Sequence, residues 1–206
     1  MSNTVLDITP AIKLLNPPIE IPGYNNYIST YLILGEKKVL VDIGPRVGVR
    51  GRLKSLNEAG IKPEEIDYVI LTHIHIDHAG GTGTALKSLT NARVLVHPRG
   101  RQHLIDTTAL WNASLETSPE LSSKYGQFEP VPEGKIVVIE DSMKLDLGKG
   151  VVLEFIMTPG HASHHVSIFQ RKDRVLCRRL GWFIYKRRVA VNRPASLPPR
   201  RLSELN

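Results

Sequence analysis

The sequence is poor in cysteine, in aromatic residues and in long apolar runs, and each shortage closes off a class of protein. The only cysteine is Cys177, which rules out an internal disulfide and any metal site built from several thiolates. No apolar stretch approaches the roughly 20 residues that span a bilayer. Met1 to Lys13 shows no basic segment followed by an apolar one, so no secretory signal is expected and the cytoplasm is the predicted location. Aromatic residues make up 6% of the chain, against 41% hydrophobic and 23% charged residues, which is the balance of an ordinary globular protein. At 206 residues, one domain is expected, with room for a short appendage.

The net charge of +7 invites a nucleic-acid partner, but the charge is not spread along the chain. Residues 171–206 hold 11 Lys and Arg against 2 acids, a balance of +9, which leaves 16 against 18, or −2, for residues 1–170. The body is nearly neutral and the basic character belongs to its last segment.

Residues 27–34 and 39–42 are short β-rich runs around the polar turn Gly35 to Lys38, a predicted hairpin. Leu53, Leu56 and Ala59 recur at helical spacing, and Gly60 is the predicted stop. Tyr68 to Leu71 is fully apolar and suits a buried strand. A helix is expected near Thr84–Leu89, a strand at Arg93–His97 and a mainly helical region from Arg101 to Tyr125. Further strands are expected at Ile136–Ile139, Val151–Met157 and Val166–Gln170. Such alternation predicts sheets layered with helices.

Six of the eight histidines fall in two windows, 73–78 and 161–165. In an extended segment residues two apart share a side, so His73 and His75 can face one point. Asp77 and His78 come where Ala79-Gly80-Gly81 lets the chain turn, and they can address a second point nearby. Imidazoles with a carboxylate suit zinc, and also iron or manganese. In the second window Pro159 and Gly160 turn the chain sharply, which aims His161 back as a third imidazole beside His73 and His75. His164 and His165 are expected to hydrogen-bond around the site and not to ligate.

The segments Tyr31 to Pro45, Leu71 to Gly81 and Thr158 to His161 together resemble the metallo-β-lactamase superfamily, especially its glyoxalase II-like hydrolases. The resemblance runs from about Tyr27 to about Leu176. It implies an α/β fold, a four-layer αβ/βα sandwich with the metals at one edge, whose C-terminal part would be incomplete in this chain. It implies that His73, His75 and His161 hold a first metal, and that Asp77 and His78 help hold a second. Asp42 would support the metal loop, although an Asp that caps a turn after a strand looks the same in sequence. The implied reaction is hydrolysis of a thioester, ester or lactone by water activated at zinc, with Asp77 also orienting the nucleophile. The implied substrate is a small molecule, with neither a nucleic acid nor a membrane as partner; oligomeric state stays open.

Two ligands of the family pattern are missing: a bridging aspartate in a Gly-Asp pair after a strand like Arg174 to Leu176, and a late histidine. After His165 the sequence offers no histidine, and its only acids are Asp173 and Glu204. Activity is therefore expected to be weak or absent, and a metal-poor binding protein is the alternative. The division expected is a metallo-β-lactamase-type domain over residues 1–176 and a divergent basic tail over 177–206. A shift of reading frame near Cys177 would explain the tail. Cys177 to Trp182 can be encoded by TGC AGG AGA CTC GGT TGG, one choice the degenerate code allows, and one base later that string reads Ala-Gly-Asp-Ser-Val, with the Gly-Asp pair restored. A rival use of the tail is nucleic-acid binding, with Arg178, Arg179, Lys186, Arg187 and Arg188 flanking Trp182, Phe183 and Tyr185.

Overall fold

The computed structural model describes residues 4–19, 21–22 and 28–170, together with the backbone of two later strands, Arg174–Cys177 and Phe183–Lys186. Strands β1 (Val5–Thr9), β2 (Ile12–Leu15), β3 (Thr30–Leu34) and β4 (Lys38–Val41) form an antiparallel meander. Helix α1 (Val49–Glu58) then crosses to β5 (Ile66–Ile70), which lies parallel to β4. Two single helical turns, α2 (Ile76–Ala79) and α3 (Thr82–Ala85), lead to β6 (Arg93–Val96). Helices α4 (Pro98–Ile105), α5 (Thr108–Thr117) and α6 (Pro119–Tyr125) precede β7 (Ile136–Val138). Strands β4 to β7 are parallel, so the first sheet has seven strands in sequence order. The second is antiparallel, built from β8 (Lys144–Asp146), β9 (Val152–Met157), β10 (Val166–Gln170), β11 (Arg174–Cys177) and β12 (Phe183–Lys186).

Alternation along the strands explains the layers. Tyr31, Ile33, Val39, Val41, Ile70 and Leu95 point from the first sheet toward Leu153, Phe155, Val166 and Ile168 of the second. Their neighbours Leu32, Leu40, Val69, Val94 and Val96 point the other way, onto Val49, Leu56 and Leu104 of the helices. Each such side chain, fully buried, contributes about 1.5–3 kcal/mol relative to exposure. Among the described residues the α-helices all lie between Val49 and Tyr125, on the outer side of the first sheet, giving three layers of the sandwich. No described helix is long and apolar enough to cross a membrane.

Helix α1 ends as its sequence predicts. Gly60 takes φ +79°, its N–H donates to the Asn57 carbonyl at 2.9 Å, and Ile61 N–H donates to the Leu56 carbonyl at 3.1 Å. This is the glycine-closed helix end that satisfies otherwise orphaned carbonyls. The predicted hairpin is β3–β4. The expected helix at Thr84–Leu89 is shorter and earlier, at Thr82–Ala85. The region from Arg101 to Tyr125 divides into helices at Asp106-Thr107 and again at Ser118, where Pro119 starts a new helix. Strands β1, β2 and β8 carry too little apolar alternation to announce themselves; β1 leaves Leu6 and Ile8 exposed.

Candidate metal centre

The site forms where strand ends of both sheets meet. Val41, Ile70 and Leu95 pair in register, so the chain leaves β4 at Asp42, β5 at Thr72 and β6 at His97 along one sheet edge. That edge is where parallel strands present their chemistry. The turn between β9 and β10 approaches from the second sheet, and Val166 N–H donates to the Thr72 carbonyl at 2.8 Å. This bond ties the segment carrying His161 to the segment carrying His73.

Within the first window the backbone changes character. His73 and His75 lie on extended chain, and His75 is the N-cap of α2, so Asp77 and His78 sit in a helical turn. The chain turns at Gly80 and Gly81 between α2 and α3, with both at ordinary right-handed angles, φ −56° and −90°. What Gly81 provides is closeness. Its N–H donates to the Gly44 carbonyl at 2.8 Å, and a Cβ there would stand 2.5 Å from Val49 Cγ2. His78 O accepts from Ile43 and Gly44 N–H groups, which docks α2 on the segment after β4.

Asp42 organises the centre. It is 1% exposed and adopts φ +55°, a left-handed conformation uncommon outside glycine. Its Oδ1 accepts from Thr72 N–H at 2.8 Å, and its Oδ2 accepts from the Thr72 hydroxyl at 2.8 Å. Oδ2 also lies 2.8 Å from His78 Nδ1. Asp42 therefore bonds both Thr72 and His78, across the loop that carries the first histidine window, and is more than the cap of its own turn.

These bonds orient two rings. Asp42 Oδ2 faces His78 Nδ1 and Asp77 Oδ2 lies 3.2 Å from His78 Nε2, so a carboxylate stands at each ring nitrogen. The Thr72 hydroxyl spends its single proton on Asp42, so at 3.0 Å it accepts from His73 Nδ1–H. His73 Nε2 is thereby left with a lone pair, buried and without a hydrogen-bond partner among the described residues. Such a buried acceptor is costly unless something occupies it.

The three imidazoles anticipated for one cation converge. His73, His75 and His161 each offer a ligand atom within 4.8 Å of the others, and their ring centroids stand 4.7, 5.0 and 4.9 Å apart in pairs. A second group within the same limit contains Asp77 and His78, with His73 common to both. His73 and His78 rings are 4.0 Å apart. A donor set of imidazole nitrogens and one carboxylate, with an orphaned buried nitrogen at its centre, fits a divalent cation such as zinc.

His164 and His165 surround this group. His165 is 1% exposed and its Nδ1 is 2.8 Å from the Thr158 hydroxyl, which also bonds Ser167 Oγ at 2.8 Å. His165 thus closes the turn that carries His161. His164 Nδ1 accepts from Ile74 N–H at 3.4 Å, and burial, with the nearby His75, pushes its pKa down to about 4. Trp111 packs against the helical side of the core.

Sequence reasoning missed Arg52. It is 3% exposed, with Nε donating to Thr30 Oγ1 at 2.8 Å and Nη2 donating to the Ile28 carbonyl at 3.2 Å. Burial lowers its pKa to about 10, opposed by attraction to Asp42 and Tyr125. A signal existed: Arg52 is three residues after Val49 and four before Leu56, on the buried face of α1.

His73 gives a pH dependence. Burial, then the neighbouring His78, His75, His165 and His161, lower its pKa well below 6.5. As pH falls below about 6.5 the unfolded chain takes up this proton and the folded chain does not, so stability is lost downward and is constant above. The metal-free protein is expected to lose thermal midpoint steadily from pH 7 to pH 5, measured by circular dichroism. A flat midpoint across that range would contradict the burial of His73 as a neutral base.

The sequence model of the metallo-beta-lactamase superfamily matches residues 23–177, three quarters of the chain and ending where the charge balance changes. This chain belongs to that superfamily. It is 30% identical over 156 residues to a metallo-beta-lactamase fold-containing protein of Sulfurisphaera tokodaii, covering 73% of this chain and 55% of that protein. It is 28% identical over 162 residues to a probable metallo-hydrolase of Methanocaldococcus jannaschii, covering 76% of this chain and 69% of that one. The crystal structure of an archaeal superfamily protein from Sulfolobus tokodaii superposes with a TM-score of 0.63 at 28% identity, over 77% of this chain and 60% of its own. The chain thus spans little more than half the length of the Sulfurisphaera relative. The fold is the metallo-β-lactamase sandwich. The stretch from Arg178 to Trp182, with Arg187 and Arg188, lies outside the described residues, as do the side chains of Cys177, Phe183, Tyr185 and Lys186.

Proposed function

We propose that the chain is a metal-dependent hydrolase of a small thioester, ester or lactone, and that turnover in this chain is weak. The observation that carries this reading is the convergence of His73, His75 and His161 around a buried, unprotonated His73 Nε2. In the proposal these three hold one zinc ion, with iron or manganese as substitutes, and Asp77 and His78 begin a second position. A divalent cation held there supplies Lewis acidity and lowers the pKa of water toward neutrality.

The protein groups have separate tasks. Asp42 and Thr72 orient His78 and His73, and His165 holds the His161 turn. Asp77, half-buried on the wall of a cavity beside His75, can accept a proton from attacking water. Weak turnover follows from charge: after His165 only Asp173 and Glu204 are acidic, so no Gly-Asp carboxylate is available to bridge two cations. The proposed location is the cytoplasm and the proposed partner is a small molecule.

Zinc titration followed by elemental analysis, with turnover on an ester, a thioester and a lactone, tests the proposal. One metal per chain with slow, chelator-sensitive hydrolysis is expected. Two tightly held metals with fast turnover would overturn the proposed impairment, and no retained metal would overturn the whole reading. Thr72→Val, nearly the same shape but without the relaying hydroxyl, is expected to weaken zinc binding about 10–100-fold, and Thr72→Ser to restore it. Competition with a zinc-binding dye measures both.

A further inference from the structure

A cavity of about 520 Å³ opens beside the candidate centre, bounded on one side by His75, Asp77 and His164 and on the other by α5 and α6. Its walls carry Ile74, Ile76, Ala109, Leu110, Ala113 and Leu121, and among the described residues neither lysine nor arginine lines it. Several hydroxyls also face it, and three of them spend their protons within the helices. Ser114 Oγ donates to the Leu110 carbonyl, Thr117 Oγ1 to the Ala113 carbonyl and Ser122 Oγ to the Ser114 carbonyl, each at 2.8 Å. Apart from His75, His103, His164, Asp77, Ser118 and Tyr125, the walls present hydrocarbon and oxygens whose donor capacity is used up within the helices. Such a cavity gives little compensation to a bound anion.

We infer that this cavity binds the acyl side of the substrate as an uncharged hydrocarbon chain, with its carbonyl directed at His75 and Asp77. The inference rests on the hydrolase reading for the meaning of that direction, but the cavity's preference for apolar chains stands on its walls. It selects a medium-length aliphatic acyl group and rejects acyl groups that end in a carboxylate or phosphate. Discrimination would come from α5 and α6, and the reacting bond would stay at the mouth. Ala109 and Ala113 are exposed residues of α5 that line the cavity, so they can be enlarged without disturbing the core.

The test is calorimetric binding of N-alkanoyl glycinamides, from butanoyl to decanoyl, to the metal-free and the zinc-loaded chain. Affinity is expected to rise about threefold to fourfold per added methylene until the cavity is filled. An analogue carrying a terminal carboxylate on the chain is expected to bind at least about tenfold more weakly than its methyl-ended counterpart. Ala113→Trp and Ala109→Trp, checked for unchanged melting and zinc content, should each abolish the gain for the longer chains. An affinity independent of chain length, tighter binding of the carboxylate analogue, or the same chain-length gain in both tryptophan variants would overturn the inference. Its failure is separable from that of the hydrolase reading. Chain-length-dependent binding without any hydrolysis retains the pocket and removes the hydrolase, and hydrolysis indifferent to chain length does the reverse.

Discussion

Replacing His73 with alanine is expected to lower zinc content from about one ion per chain to nearly none, and with it any chelator-sensitive hydrolysis. His73 is the shared member of both candidate donor groups, and its inward nitrogen is buried without a hydrogen-bond partner among the described residues. Losing it removes the center of the arrangement, whereas His161→Ala leaves the other donor group, His73, Asp77 and His78, intact. The second substitution should therefore weaken binding and leave a residual, more acid-sensitive site. Elemental analysis after gel filtration separates the two results. Equal retention of zinc by both variants and the parent would place the metal elsewhere.

The larger structural effect is expected from Asp42→Ala. It removes one carboxylate that satisfies Thr72 N–H, the Thr72 hydroxyl and His78 Nδ1 in a setting with almost no solvent. It also puts alanine at φ +55°, where its Cβ is strained. Breaking a buried pair by deleting one partner costs about 3–5 kcal/mol, which for a chain of this size is a fall in melting temperature on the order of 10 °C. Asp42→Asn tolerates the left-handed backbone and separates the two causes. It should recover part of the stability and little of the zinc affinity, because its one carbonyl oxygen cannot replace both carboxylate oxygens and its NH2 group must then face a Thr72 or His78 donor. Differential scanning calorimetry of the metal-free proteins measures the first, and zinc titration the second.

The site was more legible than the fold around it. Histidines two apart on extended chain and a turn with Pro159 and Gly160 are short-range signals, and they correctly led to the meeting of His73, His75 and His161. The chain does turn at Gly80 and Gly81, but glycine in sequence does not say whether it serves a left-handed angle or a close approach. Here Gly81 lies under Val49 at ordinary angles. Asp42 could be matched to a supporting role but its bonds could not be foreseen, since they join residues 30 and 36 positions apart. The edge strands β1 and β8 left no mark because an exposed or very short strand needs little apolar alternation. Arg52 escaped because a charged residue at a core position reads as a surface residue until its partners are known. The α4–α6 region read as one helical cover, and only its division at Thr107 and Ser118 creates the cavity wall.

The most direct test of the central claim is X-ray absorption at the zinc edge on the zinc-loaded chain. The account predicts a first shell at about 2.0–2.1 Å with imidazole scattering from about three histidines, and the loss of that scattering in His73→Ala. A shell of oxygen alone, or zinc that does not stay with the protein through desalting, would contradict it.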